Sequence, residues 1–201
     1  MSDGVIIRTE RLVLRDFRPD DWEVVHEYAV DPEVSLYMPW GPNSEDETRA
    51  FIERAIGYQT EDPRLHFELA ITLAEDDHLI GGGGIRAADE NFRAADMGYC
   101  LRRDAWGLGF GTESAVALIS YGFEQLGVHR IWATCDSENV RSARVLEKSG
   151  MRLEGTRRDD TWLREHWRST HVFAILENEW QPAGGQCADR ADNASSRENP
   201  Q

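Results

Sequence analysis

Tyr99-Cys100-Leu101-Arg102-Arg103-Asp104-Ala105-Trp106-Gly107-Leu108-Gly109-Phe110-Gly111-Thr112 joins the end of a strand pattern to the start of a helix through three alternating glycines. Glycines there let the backbone bend and approach a ligand, while the free N–H groups of a first helical turn and the helix dipole favour an anion. The segment therefore reads as a pyrophosphate cradle, with a tight ligand-free turn as the plain alternative. A phosphate loop of the Walker type needs Gly-Lys-Ser/Thr, and a dinucleotide fold needs its glycines at the first strand of a βαβ unit. Neither context is present.

Downstream, Ala115, Val116, Ile119, Phe123 and Leu126 form a helical stripe closed by Gly127. Residues 130–135 (RIWATC) read as a buried strand, 139–149 as a second helix closed by Gly150, and 152–158 and 167–176 as the last strands. Upstream, 66–73, 78–85 and 93–101 suggest an antiparallel meander. Before it, Ser44 with Glu47 reads as a capping box opening a helix, 31–42 is a loop with Tyr37, Met38 and Trp40, and 19–30 is a helix after a strand at Leu12 and Leu14. Strands, helix, strand, helix, strands make an α/β or α+β mixed sheet with helices on its faces. The run Gly81 to Gly84 sits inside a strand pattern, which points to a bulge or a close strand approach.

The chain has 201 residues, 22 Lys and Arg against 37 Asp and Glu, and a formal net charge of -15. Such a body repels phosphate backbones, so nucleic acid is excluded as a partner, and cationic amines are favoured. No apolar run reaches the roughly 20 residues of a membrane span, and no secretory leader is evident, so a soluble cytoplasmic protein is expected. Cys100, Cys135 and Cys187 show neither disulfide nor metal spacing, and no metal site is expected. Residues 1–181 read as one domain, and 182–201, which lack large apolar residues, as a disordered polar tail.

Taken in order, Thr9-Glu10-Arg11-Leu12-Val13-Leu14-Arg15, Pro39-Trp40-Gly41-Pro42, Gly98-Tyr99, the glycine segment, the helix with Asn139, Ser142, Glu147-Lys148 and Gly150, and the closing Trp167-Arg168 resemble the GCN5-related N-acetyltransferase (GNAT) superfamily. The resemblance is to its branch of ribosomal-protein N-terminal and spermidine acetyltransferases. It implies a mostly antiparallel sheet of about seven strands, splayed at the centre and flanked by about four helices, with acetyl-CoA as cosubstrate. It places Tyr99, Cys100 and Leu101 against the pantetheine, the backbone of Trp106, Gly107, Leu108, Gly109, Phe110, Gly111 and Thr112 around the pyrophosphate, and Asn139 beside the pantetheine arm. Arg102 and Arg103 are either phosphate partners or solvated loop charges.

Direct transfer to an amine needs a base, an oxyanion site and a proton for the departing thiolate. Many members of the superfamily use a Tyr where Leu146 stands here; within the branch a Ser one turn earlier substitutes, and Ser142 occupies that position. Asp96, Glu68 and His66 are the candidate bases, and a backbone N–H near Cys100 or Leu101 the oxyanion donor. The resemblance builds the acceptor pocket from the first two helices and the final strands, which supply Tyr37, Met38, Trp40, Trp162 and Trp167 with Glu33, Glu45, Asp46, Asp159, Asp160 and Glu165. Aromatic walls with carboxylates suit a cationic amine. Three functions follow: acetylation of a protein N-terminal amine, of a small amine such as a polyamine or aminoglycoside, or a silent acyl-CoA-binding module. The resemblance also implies a homodimer, paired through an exposed edge strand near the C-terminus.

Overall fold

The computed structural model describes residues 4–87 and 93–181. The chain runs β1 (Ile6–Arg8), β2 (Leu12–Asp16), α1 (Trp22–Ala29), α2 (Pro32–Ser35), α3 (Glu45–Tyr58), β3 (His66–Leu73), β4 (Leu79–Ala87), β5 (Ala94–Leu101), α4 (Phe110–Glu124), β6 (Arg130–Asp136), α5 (Val140–Lys148), β7 (Arg152–Leu163) and β8 (His166–Leu176). The expected tail and Cys187 lie outside the described residues. No described helix is long and apolar enough to cross a membrane.

The strands form one sheet in the order β1-β2-β3-β4-β5-β6-β8-β7, antiparallel except for β5 beside β6. That is one strand and one helix more than the resemblance implied. The extra elements are short: β1 has three residues, and α2 is a single turn opened by Pro32 and capped by Asp31, whose carboxylate accepts the Glu33 N–H at 2.9 Å. Strand β7 also outruns its expected end at residue 158, because its charged second half forms an exposed sheet edge that carries no apolar alternation.

Two hydrophobic clusters hold the sheet. Leu69 and Ile71 belong to one, with Ile85, Met97, Leu118 and Ile131; Ala70 between them belongs to the other, with Phe17, Val25, Tyr28, Ile52 and Ala55. Since side chains alternate along a strand, the clusters lie on opposite faces, one under α4 and the other under α1 and α3. The Gly81 to Gly84 run serves the close approach expected of it. A Cβ on Gly84 would stand 2.8 Å from the Phe67 carbonyl oxygen and 2.9 Å from Glu68 Oε2.

At the centre the sheet opens. Strands β5 and β6 pair only at Ala94↔Arg130, Ala95↔Ile131 and Asp96↔Trp132. Beyond those pairs β5 stays on β4 as far as Leu101, and β6 stays on β8 as far as Asp136. The backbone groups of residues 97–101 that face β6 thus have no ladder partner, and a gap widens toward the carboxyl ends of both strands. The expected splay is present.

Candidate active site

The open end of the gap is ringed by four pieces of chain: the glycine loop entering α4, the start of α5, the loop of residues 35–41, and the tip of the β7–β8 hairpin. Helix α4 follows its N-cap residue Gly109, whose φ of 88° is left-handed and which provides no side-chain cap. The first turn of α4 therefore keeps N–H groups free for an anion. The loop is braced from behind. Arg11 donates from Nη1 to the Leu108 carbonyl at 3.0 Å and from Nε to Glu113 at 2.8 Å, with its guanidinium 4.6 Å from the Phe110 ring centre. Glu113 also accepts the Arg11 backbone N–H and the Thr9 hydroxyl. Burial alone would raise the Glu113 carboxyl, but these bonds outweigh it and the net direction is down. The Thr9-Glu10-Arg11 opening is thus a clamp on the glycine loop, a role its position in the sequence does not show.

Arg102 and Arg103 turn away from the cradle. Arg102 pairs with Asp104 and with Glu27 of α1, each at 3.2 Å, while Arg103 pairs with Asp31 at 3.3 Å and Glu33 at 2.9 Å. Rather than standing as free phosphate partners or as solvated loop charges, the two readings left open for them, both are bound to carboxylates. Arg141 of α5 is the cation that reaches across the gap, 5.2 Å from the ring centre of Trp106. The Trp106 indole N–H is committed to the Leu101 carbonyl at 2.9 Å.

Asn139 caps α5, its Oδ1 accepting the Ser142 N–H at 3.1 Å. The cap turns the Ser142 hydroxyl into the gap, 3.4 Å from the Tyr99 hydroxyl. Burial pushes the Tyr99 phenol up to about 12, partly offset by the bond with Ser142. Burial also raises Cys100 to about 12 and Cys135 to about 11, so both stay protonated thiols rather than nucleophiles. Leu146 is 1% exposed and packs in the core.

On the other face, Glu68, Gly84 and Gly98 lie in one row across β3, β4 and β5. The two missing side chains leave a floor running from the Glu68 carboxylate to the strand beside the gap. Burial raises the Glu68 carboxyl, more than Arg54, His66 and Arg86 lower it through space. The other candidate bases are occupied: Arg86 grips Asp96 in a bidentate pair at 2.9 and 3.2 Å, and His66 bonds Glu61 at 3.0 Å and stacks on Tyr58. Asp96 moreover sits where β5 and β6 are still paired.

The acceptor-side residues divide. Trp40 packs with Trp106 and Cys100 against the second cluster. The Tyr37 ring lies 5.4 Å from the guanidinium of Arg168, which is held by Asp136 at 2.6 and 2.8 Å. Trp162 and Trp167 form an edge-to-face pair at 5.3 Å on the hairpin and are 59% and 60% exposed. Glu165 is exposed at the hairpin tip. Several of the expected carboxylates are already engaged, Glu33 with Arg103, Glu45 with Arg49 and Asp160 with Thr170. Arg164, at the same tip, places its guanidinium among the carbonyls of residues 35–41. A groove of about 1050 Å³ between β1 and α4 touches the back of the glycine loop at Arg11 and Gly109. Tyr99, Ser142 and Glu68 do not line it.

The model of the acetyltransferase (GNAT) domain family matches residues 11–152. The uncharacterized N-acetyltransferase YnaD of Bacillus subtilis (strain 168) is 33% identical over 174 residues, 87% of this chain and 98% of the relative. The [ribosomal protein uS5]-alanine N-acetyltransferase of Escherichia coli (strain K12) is 25% identical over 188 residues, 89% of this chain and 94% of the relative. The crystal structure of a GNAT-family acetyltransferase from Bacillus anthracis superimposes with a TM-score of 0.78 at 32% identity, covering 87% of this chain and 99% of that one.

Proposed function

The chain belongs to the GNAT acetyltransferase family and is an N-acetyltransferase, and from that premise we propose that it transfers an acetyl group from acetyl-CoA directly to the α-amine of a protein N-terminus. The observation that carries the reading is the gap beyond Asp96↔Trp132, which joins an open helix N-terminus on one side to a half-buried carboxylate on the other. The uncapped first turn of α4 receives the pyrophosphate, with Arg141 adding positive charge at the rim. The unpaired backbone of residues 97–101 bonds the pantetheine amides as a strand would, and leads the thioester from the α4–α5 face toward Gly98.

Glu68, whose ionised carboxylate is made more basic by desolvation than an exposed one, accepts the proton of the incoming ammonium across the Gly84–Gly98 floor, directly or through water. The amine nitrogen then attacks the thioester carbon, and a backbone N–H of Cys100 or Leu101 holds the oxyanion. As the C–S bond breaks, Ser142 gives its hydroxyl proton to the thiolate and is reprotonated through Tyr99 or solvent. Nitrogen loses a second proton to solvent as the tetrahedral intermediate collapses, so the net transfer is acetyl to nitrogen, one proton to sulfur and one proton to solvent. A protein N-terminus is favoured by the full-length likeness to a ribosomal-protein alanine acetyltransferase, and a net charge of -15 draws basic acceptors.

Thiol release from acetyl-CoA, measured across peptides with Ser, Ala or Met N-termini, spermidine and aminoglycosides, beside calorimetry of acetyl-CoA binding, tests the proposal. Turnover on peptides supports it, and turnover confined to spermidine or aminoglycosides moves the acceptor to small amines. Binding without turnover on any acceptor favours a silent acyl-CoA-binding module, and absence of binding sinks the assignment of the gap.

A further inference from the structure

We propose that Arg164 is the positioning residue of the acceptor entrance, holding the loop of residues 35–41 across the open end of the β5/β6 gap. The inference rests on the acetyltransferase reading of that gap and adds the element that frames its acceptor side.

The first observation is the guanidinium's surroundings. Nη2 reaches the carbonyl oxygens of Ser35 at 2.9 Å, Trp40 at 3.2 Å and Gly41 at 2.8 Å, and Nη1 those of Leu36 at 3.3 Å and Met38 at 3.1 Å. Every partner of Arg164 among the described residues is one of these carbonyl oxygens. Carbonyl oxygens turned toward one point repel one another unless a cation sits there, so this loop conformation depends on a residue more than 120 positions away in the chain. A lysine, with three donors on one nitrogen, cannot serve five carbonyls spread around a planar fork.

The second observation is the turn that presents it. Leu163 pairs with His166, leaving Arg164 and Glu165 as a two-residue hairpin loop, with φ of 49° and 65°. Such turns favour Asn and Gly, because a side chain at positive φ is strained. A large side chain in that conformation is tolerated where its surroundings hold it, and the carbonyl cage does so for Arg164.

The third observation is where the loop goes. Trp40 anchors one part of it on the second cluster, against which Cys100 and Trp106 at the end of β5 also pack. Tyr37 lies against Arg168, which is tied to Asp136, the last residue of β6. The loop therefore runs from the cluster that also receives the end of β5 to the last residue of β6, on the face where Glu68 and Gly98 lie, and Arg164 bonds nothing in α4 or α5 among the described residues. Its removal loosens the acceptor side and leaves the donor side intact.

The test compares the wild-type protein with Arg164→Ala and Arg164→Lys by hydrogen exchange, acetyl-CoA calorimetry and, on the acceptor found in the panel, steady-state kinetics. In Arg164→Ala the amides of residues 36–41 exchange about tenfold faster or more, with the protection of β3, β4 and β5 unchanged. Acetyl-CoA affinity stays within about twofold, while the acceptor KM rises about tenfold with kcat changed by less than about threefold. Arg164→Lys recovers only a small part of either effect. Unchanged exchange at 36–41, an unchanged acceptor KM, or protection lost across the whole sheet overturns the proposal. The exchange arm needs no acceptor, so failure of the acetyltransferase reading, seen as no acetyl-CoA binding by the wild-type protein, stays distinguishable from failure of the latch.

Discussion

Glu68 and Ser142 stand on opposite faces of the same opening, and each predicts a separable loss. Ser142→Ala removes the proton for the leaving thiolate and lowers kcat on the order of 100-fold, with acetyl-CoA affinity nearly unchanged, as calorimetry beside turnover would show. If turnover is unaffected, the Tyr99 hydroxyl at 3.4 Å takes the role and Tyr99→Phe inherits the test. For Glu68 the sign follows from burial. Its carboxyl is raised, so the base is lost as pH falls through a value above the ordinary ~4.3, and the acid limb of kcat/KM lies correspondingly high. Glu68→Gln abolishes that limb. The same raised value means that the cost of a buried charge is present at neutral pH and relieved on acidification. Glu68→Gln is therefore more thermostable than the wild type at pH 7, and the difference shrinks as pH falls; a difference that grows on acidification would refute the assignment.

At the scale of elements, the start of α4 is specified by its own residues and by a distant clamp. Gly109 holds φ of 88°, so Gly109→Ala places a Cβ in left-handed backbone at a cost of about 1–2 kcal/mol. Acetyl-CoA affinity falls with it, because the free N–H groups of the first turn move. Arg11→Ala leaves the glycines in place but frees the Leu108 carbonyl and the Glu113 carboxylate. It is expected to weaken acetyl-CoA binding about tenfold while leaving acetyl-pantetheine, which lacks the pyrophosphate, as good a donor as before. Equal losses with both donors would show that the clamp acts on the whole fold. The glycine loop, both flanking helices and the Asn139 cap were legible from the chain, since each is a local pattern of period, cap and turn. Strand β1 and helix α2 were not, because three residues and one turn carry too little periodicity to read.

For the whole molecule, the two clusters and the net charge set the behaviour. Leu118 is fully buried under the sheet, and Leu118→Ala is expected to cost about 2–5 kcal/mol in denaturant unfolding. With a net charge of -15, the KM for a basic peptide acceptor rises with ionic strength, while that for an acceptor lacking extra positive charge changes little. The charge follows from composition and needed no coordinates. The fates of individual charges did. Arg102 and Arg103, beside the cradle in sequence, are taken by Glu27, Asp31, Glu33 and Asp104, whereas Arg141 comes from the other side of the gap.

Local covalent order determined the elements: alternation made the meander, the glycines made the turn into α4, Asn139 capped α5 three residues before Ser142, and their succession identified the family. Tertiary structure alone decided which groups meet. Glu68 is the candidate left without an ion pair among the described residues, with Gly84 and Gly98 in register beside it, because Arg86 claims Asp96. The Tyr99 hydroxyl met Ser142 because β5 parts from β6, and Arg164 found five carbonyls more than 120 residues upstream. Such pairings depend on strand register and on charges competing for partners across the chain, and neither is encoded in any local stretch of residues.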